Sequence, residues 1–185
     1  MVHLSQMLDR IKIVRDIISD EIRNGWNVVA VVSAMSKETN KLINLAKKVG
    51  VESIVDPEYD SLISTGEDIS SALLAIALNN IGISSRSWRG WQLPIRTDSF
   101  HSNAKIEEIE ITKLVEAFKR GSKVAVVSGF QGLEKSGRIT TLGRGGSDTS
   151  AVAIAAAIDA ERCDIYTDVS GIYTTDPRIK KMRQN

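Results

Sequence analysis

At 185 residues, with 42% apolar and 25% charged residues, the chain has the composition of one globular domain able to bury a core, which excludes an intrinsically disordered segment. A formal net charge of +1 gives no long-range field for nucleic acid or an anionic membrane, so recognition of any anion has to be local. Cys163 is the only cysteine, which excludes an internal disulfide.

In chain order, Leu4, Leu8, Ile11, Val14, Ile18 and Ile22 recur at three- and four-residue intervals. That spacing predicts an amphipathic helix, closed by Asn24-Gly25. The helix is charged on its other faces and does not read as a signal sequence. Val28 to Val32 is a continuous apolar run, expected as a strand buried on both faces of a parallel sheet. Ser33, Ser36 and Thr39 follow it. Turn and capping chemistry is their plainer reading, while a strand end leaves a binding role open. Leu42, Ile43, Ala46 and Val49 predict a second helix, and residues 50–59 a polar connection. Ser64 with Glu67 matches a capping box at the head of a third helix through Leu78.

Residues 83–92 are expected as a strand and turn, with Trp88 and Trp91 packing inside. His101 lies in a polar loop with no second histidine or cysteine near it, which is no metal site. Ile106, Ile109, Leu114 and Phe118 mark a further helical segment. Residues 123–128 form another buried strand. The longest uninterrupted apolar run, residues 151–158, is far short of the roughly 18 residues a membrane span requires. A cytoplasmic location is expected. The alternation of strands and helices predicts an α/β fold, a doubly wound sheet with helices on both sides.

Residues 137–178 concentrate the chemistry. A glycine-rich loop, Gly143-Arg144-Gly145-Gly146, leads into a helix opened by Ser147 or Asp148. An apolar strand at residues 163–166, with Cys163 as a small buried thiol, then enters a second polar loop at Thr167-Asp168. Glycines let backbone approach a ligand, and a helix start attracts anions, so the first loop is suited to a phosphate or a carboxylate. Ser147 and Asp148 as simple caps is the alternative. Neither a Walker-type phosphate loop nor a dinucleotide fingerprint fits these residues.

The run Thr140-Thr141-Leu142-Gly143-Arg144-Gly145-Gly146-Ser147-Asp148-Thr149-Ser150-Ala151, followed by Asp164-Ile165-Tyr166-Thr167-Asp168 and Tyr173-Thr174-Thr175-Asp176-Pro177-Arg178, closely resembles the aspartate kinases of the amino acid kinase family. The resemblance extends through Ser33-Ala34-Met35, Ser64-Thr65-Gly66-Glu67, Gly90-Trp91-Gln92 and Gly129-Phe130-Gln131-Gly132, in the family's order. It implies a three-layer αβα sandwich with a mainly parallel central sheet. It also implies phosphorylation of the side-chain carboxylate of L-aspartate by ATP with Mg²⁺, giving 4-phospho-L-aspartate, the first step toward lysine, threonine and methionine.

By resemblance, Ser33, Thr39, Glu67, Arg144 and Ser147 would bind aspartate. Arg144 would complement a carboxylate and Glu67 the ammonium. Asp148 would organise the reacting centre and its Mg²⁺, and Gly145 and Gly146 would give the phosphoryl group backbone access. Thr167, Asp168, Tyr173 and Arg178 would hold the nucleotide, although a surface turn explains residues 173–178 equally well. The expected partners are L-aspartate and ATP, with no nucleic acid or membrane, and an assembly of identical chains is compatible with the sequence. The family's opening Lys-Phe-Gly-Gly-Thr-Ser strand and its regulatory ACT domains have no counterpart here. Residues 1–185 are therefore expected to be a partial, incomplete catalytic domain. A non-catalytic module that retains ligand binding, or a kinase acting on glutamate, acetylglutamate or UMP, stays open.

Overall fold

The structure is a computed structural model that describes residues 2–53 and 55–166, with side chains from Leu8 onward. Its centre is β5 (Val124–Ser128), every residue of which is buried. It pairs in parallel with β1 (Val28–Val32) on one side and β2 (Ser85–Trp88) on the other. Successive side chains of a strand point to opposite faces, and β5 uses both. Val124 and Val126 pack with Ile18 of α1 (Val2–Arg23) and with Leu74, Ala75 and Leu78 of α4 (Thr65–Asn79). Ala125 and Val127 pack with Leu114 of α5 (Thr112–Lys119) and Ile154 of α6 (Gly146–Ala157). Helices thus cover both faces of this sheet, as the alternation of elements predicted.

A second sheet has the order β4-β3-β6-β7, built from β3 (Ile95–Thr97), β4 (Ile106–Ile109), β6 (Gln131–Leu133) and β7 (Ile139–Thr141). Only its β3 and β6 run parallel. Two further helices, α2 (Glu38–Val49) and α3 (Pro57–Ile63), complete the described elements. The stretch Pro57–Asn79 is long and apolar enough to cross a membrane by length and composition, but half of it is buried inside the fold. Its apolar face is the one α4 lays on β5.

Several expectations are corrected. Ile106 and Ile109 belong to β4, antiparallel to β3, and the helix begins only at Thr112; a three-residue spacing of isoleucines suits either period. Residues 163–166 form no strand, and Cys163 is exposed, as are Ile165 and Tyr166. A strand needs a ladder of partners, and these residues have none among the described ones. Trp88 is buried, but Trp91 is 51% exposed and packs no core. All five residues of β1 are half-buried rather than enclosed on both faces. Helix α3 lies inside the expected polar connection, started by Asp56, whose side chain accepts from the Glu58 N–H at 2.7 Å, with Pro57 in the first turn.

The capping box is absent as well. Ser64 has helical φ/ψ of −67° and −18°, because α3 runs into α4 with no break, and its hydroxyl donates to the Ser61 carbonyl at 3.1 Å. That leaves Glu67 free to turn elsewhere. Gly66 makes the turn tight, since a Cβ added there would lie 2.8 Å from Ala34 Cβ. Gly66→Ala is therefore expected to lower stability by about 1–3 kcal/mol through overpacking, measured by urea denaturation. An unchanged midpoint would refute this close approach.

Candidate functional site

The parallel register of β1 and β5 pairs Val32 with Ser128, so the segments that leave the two strands emerge side by side. The Gly129 N–H donates to the Val32 carbonyl at 3.0 Å and extends the ladder one step. Beyond this point the chain opens into a cleft of about 660 Å³. Ser33 and Ala34 line it from the end of β1, Thr39 from α2, and Glu67 from α4. The glycine-rich loop and the start of α6 close the other side with Gly143, Arg144, Gly145, Gly146, Ser147 and Asp148.

The loop owes its shape to Gly145, whose φ of 72° and ψ of 13° are left-handed, a conformation that costs a residue with a Cβ. This residue caps α6 with its backbone alone. No side chain caps the helix, so the capping reading of Ser147 and Asp148 does not hold. Gly146 donates its N–H to the Gly143 carbonyl and Thr149 to that of Gly145. The intervening N–H groups of Ser147 and Asp148 have no partner among the described residues. Two free donors at a helix start attract negative charge. Arg144 is exposed and forms no ion pair among the described residues.

Glu67 supplies the opposite sign. It is only 4% exposed. Its Oε1 accepts the Ala34 N–H at 3.0 Å, while its Oε2 is buried with no partner among the described residues. Burial pushes its carboxyl up to about 7, against the smaller lowering from the Ala34 N–H and its own N–H, and the nearby charge of Asp68 raises it further. A buried acceptor without a donor is unfavourable, and a ligand cation removes that cost.

A polar network holds the floor below. Asp68 Oδ1 accepts from Ser128 Oγ at 2.9 Å and from Gln131 Nε2 at 3.1 Å. Gln131 Oε1 accepts the Gly90 N–H at 2.9 Å, and its amide also donates to the Ser64 carbonyl at 3.3 Å. Phe130, next to Gln131, lines the cleft with a left-handed φ of 67°. Its N–H is held by Ser150 Oγ at 3.1 Å and its carbonyl by the Leu142 N–H at 2.9 Å.

One cleft therefore gathers Ser33, Thr39, Glu67, Arg144, Ser147, Asp148, Gly145 and Gly146. Thr167, Asp168, Tyr173 and Arg178 lie outside the described residues. Sequence reasoning missed Tyr59, Ile63, Ser102, Phe130 and Thr141, which also line the cleft. His101 and Thr141 stood in stretches already singled out, but nothing in their spacing signalled that both bond Asp60.

Known proteins agree with this architecture. Residues 4–184 match the model of the amino acid kinase family. The aspartokinase of Geobacillus stearothermophilus is 49% identical over 174 residues, which cover 94% of this chain and 42% of that protein. The aspartate kinase of Pseudomonas fluorescens is 48% identical over 182 residues, covering 98% and 42%. The chain thus spans less than half the length of these relatives. Among solved structures, aspartate kinase from Synechocystis superposes with a TM-score of 0.73 at 43% identity, over 93% of this chain and 28% of that one. E. coli aspartokinase III in complex with aspartate and ADP gives 0.62 at 34% identity, over 76% and 32%. With nearly its whole length matched by the family model, the chain belongs to the amino acid kinase family.

Proposed function

We propose that this cleft binds L-aspartate for phosphorylation of its side-chain carboxylate by ATP, giving 4-phospho-L-aspartate at the head of lysine, threonine and methionine synthesis. The observation that carries the reading is the pairing of opposite needs in one hollow. Among the described residues, Glu67 brings a buried oxygen without a donor, and Arg144 a cation without a counter-ion. An amino acid with an ammonium and two carboxylates answers both. Acetylglutamate and UMP carry no ammonium and would leave Glu67 unanswered. The solved complex of E. coli aspartokinase III with aspartate and ADP is in line with this choice.

The chemistry asks little of the protein beyond placement. A side-chain carboxylate with an ordinary pKa of about 3.9 is ionised at neutral pH, so the nucleophile needs no general base. Phosphoryl transfer then depends on alignment and on dispersal of negative charge. Ser33, Thr39 and Ser147 would orient the acceptor, and Arg144 would hold a carboxylate. The free N–H groups of Ser147 and Asp148 would meet the phosphoryl oxygens, beside the backbone of Gly145 and Gly146. Asp148 is a single exposed carboxylate at the head of α6, which fits Mg²⁺, an ion commonly shared between one or two carboxylates and substrate phosphates. When bound, that ion would neutralise phosphate charge. Thr167, Asp168, Tyr173 and Arg178 would hold the nucleotide, as the family resemblance implies.

Aspartate-dependent release of ADP, with trapping of the acyl phosphate as a hydroxamate, tests the activity. Binding of aspartate without ADP release would leave a binding module, and preference for glutamate in competition would change the acceptor. Arg144→Ala is expected to weaken aspartate binding by about tenfold or more, the scale of one lost charge-assisted hydrogen bond, while ADP affinity stays level. Equal losses for both ligands would refute the role of Arg144.

Glu67 makes a pH-dependent prediction. Its folded pKa lies above the unfolded value of 4.5, so the folded state holds the proton more tightly. Its contribution to stability is full below pH 4.5 and is lost as pH rises through about 7, a swing of about 3 kcal/mol at most. Glu67→Gln is expected to flatten that slope. A ligand ammonium pulls the pKa back down from about 7. Aspartate binding slightly below that pH therefore releases a proton in the wild type and none in Glu67→Gln. Calorimetry in buffers of different ionisation enthalpy reads this directly.

A further inference from the structure

The cleft rests on a second carboxylate that the proposed chemistry does not use. Asp60 lies in α3 and has 0% exposure. Its Oδ2 accepts from His101 Nδ1, the Ser102 N–H and the Thr141 N–H, each at 2.9 Å. Its Oδ1 accepts from Ser102 Oγ at 3.1 Å and Thr141 Oγ1 at 2.7 Å. Five donors from two separate segments converge on one buried anion, and such charge-assisted bonds are the strong kind.

Those segments lead straight to the acceptor wall. Ser102 and Thr141 both line the cleft. Ser102 is held at a left-handed φ of 64°, a conformation that a residue with a Cβ keeps only where its surroundings impose it. The Ala104 N–H donates to the Thr141 carbonyl at 2.9 Å, so the loop at 101–104 is sewn to β7. Gly143 then packs on that loop, since a Cβ added to it would lie 2.9 Å from Asn103 Oδ1 and 3.3 Å from the Ser102 carbonyl. Arg144 follows at once.

We propose that Asp60 is a positioning residue for the acceptor half of the cleft. By gathering His101, Ser102 and Thr141, it fixes the seat on which Gly143 rests, and so sets where Arg144 and the free N–H groups of α6 point. It touches no ligand. ADP, which lacks the phosphoryl group that the α6 N–H groups would meet, serves as the control ligand. The link from Asp60 to the glycine-rich loop is a property of the fold, and only its effect on aspartate rests on the function proposed above.

Asp60→Asn replaces one acceptor oxygen by a donor facing donors. Expected results are an aspartate Kd raised by about tenfold or more, an ADP Kd changed by less than about twofold, and faster amide hydrogen exchange at Leu142, Gly146 and Thr149, whose N–H groups are bonded within the loop. His101→Ala should shift the same readouts in the same direction by less. His101→Asn, which keeps an amide donor near the Nδ1 position, should restore them. Equal loss of aspartate and ADP affinity, or unchanged exchange at Leu142, Gly146 and Thr149, overturns the inference. If Asp60→Asn does not fold, the two His101 variants decide, and indistinguishable behaviour of alanine and asparagine overturns it. Failure of the wild-type chain to bind aspartate would sink the functional reading instead, and the exchange measurement would still judge Asp60.

Discussion

The cleft exists because β5 must satisfy its backbone on both edges. A fully buried strand cannot leave N–H and C=O groups bare, and β5 meets this with parallel neighbours, β1 and β2. Parallel pairing puts the carboxyl ends of strands at one rim, where open α/β sheets bind ligands. The register then fixes which residues arrive there. Because Val32 stands opposite Ser128, Ser33 and Ala34 meet the turn at Gly129 and Phe130. A slip by one residue would swap Val124 and Val126 with Ala125 and Val127 between the two packed faces and mispack both clusters.

Two buried carboxylates on neighbouring turns show how environment separates roles. Asp60 is surrounded by five donors and is fully satisfied as an anion. Glu67 is bonded by one other residue, through the Ala34 N–H, and keeps one oxygen unanswered among the described residues. The first is suited to tie segments together. The second holds an unmet demand, which is the electrostatic mark of a place made for something else.

Much of this was legible in the sequence, and the failures share a physical cause. Helix α1, strand β1 and strand β5 follow from local spacing, because each buries a face that repeats with its own period. The glycine-rich loop was legible because Gly145 needs a conformation few residues adopt. Helix α3 was missed although Asp56 and Pro57 announce its start, since seven residues offer too little periodicity. The capping box failed because its geometry assumes a fresh helix start, and at Ser64 the helix continues. Cys163 was misplaced because an apolar run becomes a strand only beside a partner. At the site, Glu67 and Arg144 were found through family motifs. Tyr59, Ser102 and Phe130 come from three distant segments, and only the packed fold brings them together.

The seamless passage from α3 into α4 has a mechanical meaning. Asp60 and Glu67 are seven residues apart on what is close to one rod, so they share a side of it, about 10 Å apart along its axis. One grips the floor beneath the arginine-bearing turn and the other presents its oxygen to the hollow. A shift of the rod therefore carries both walls together. The spacing between the two charged ends of the hollow is held by a stiff strut rather than by loops, which makes it a ruler for the length of whatever molecule lies between them.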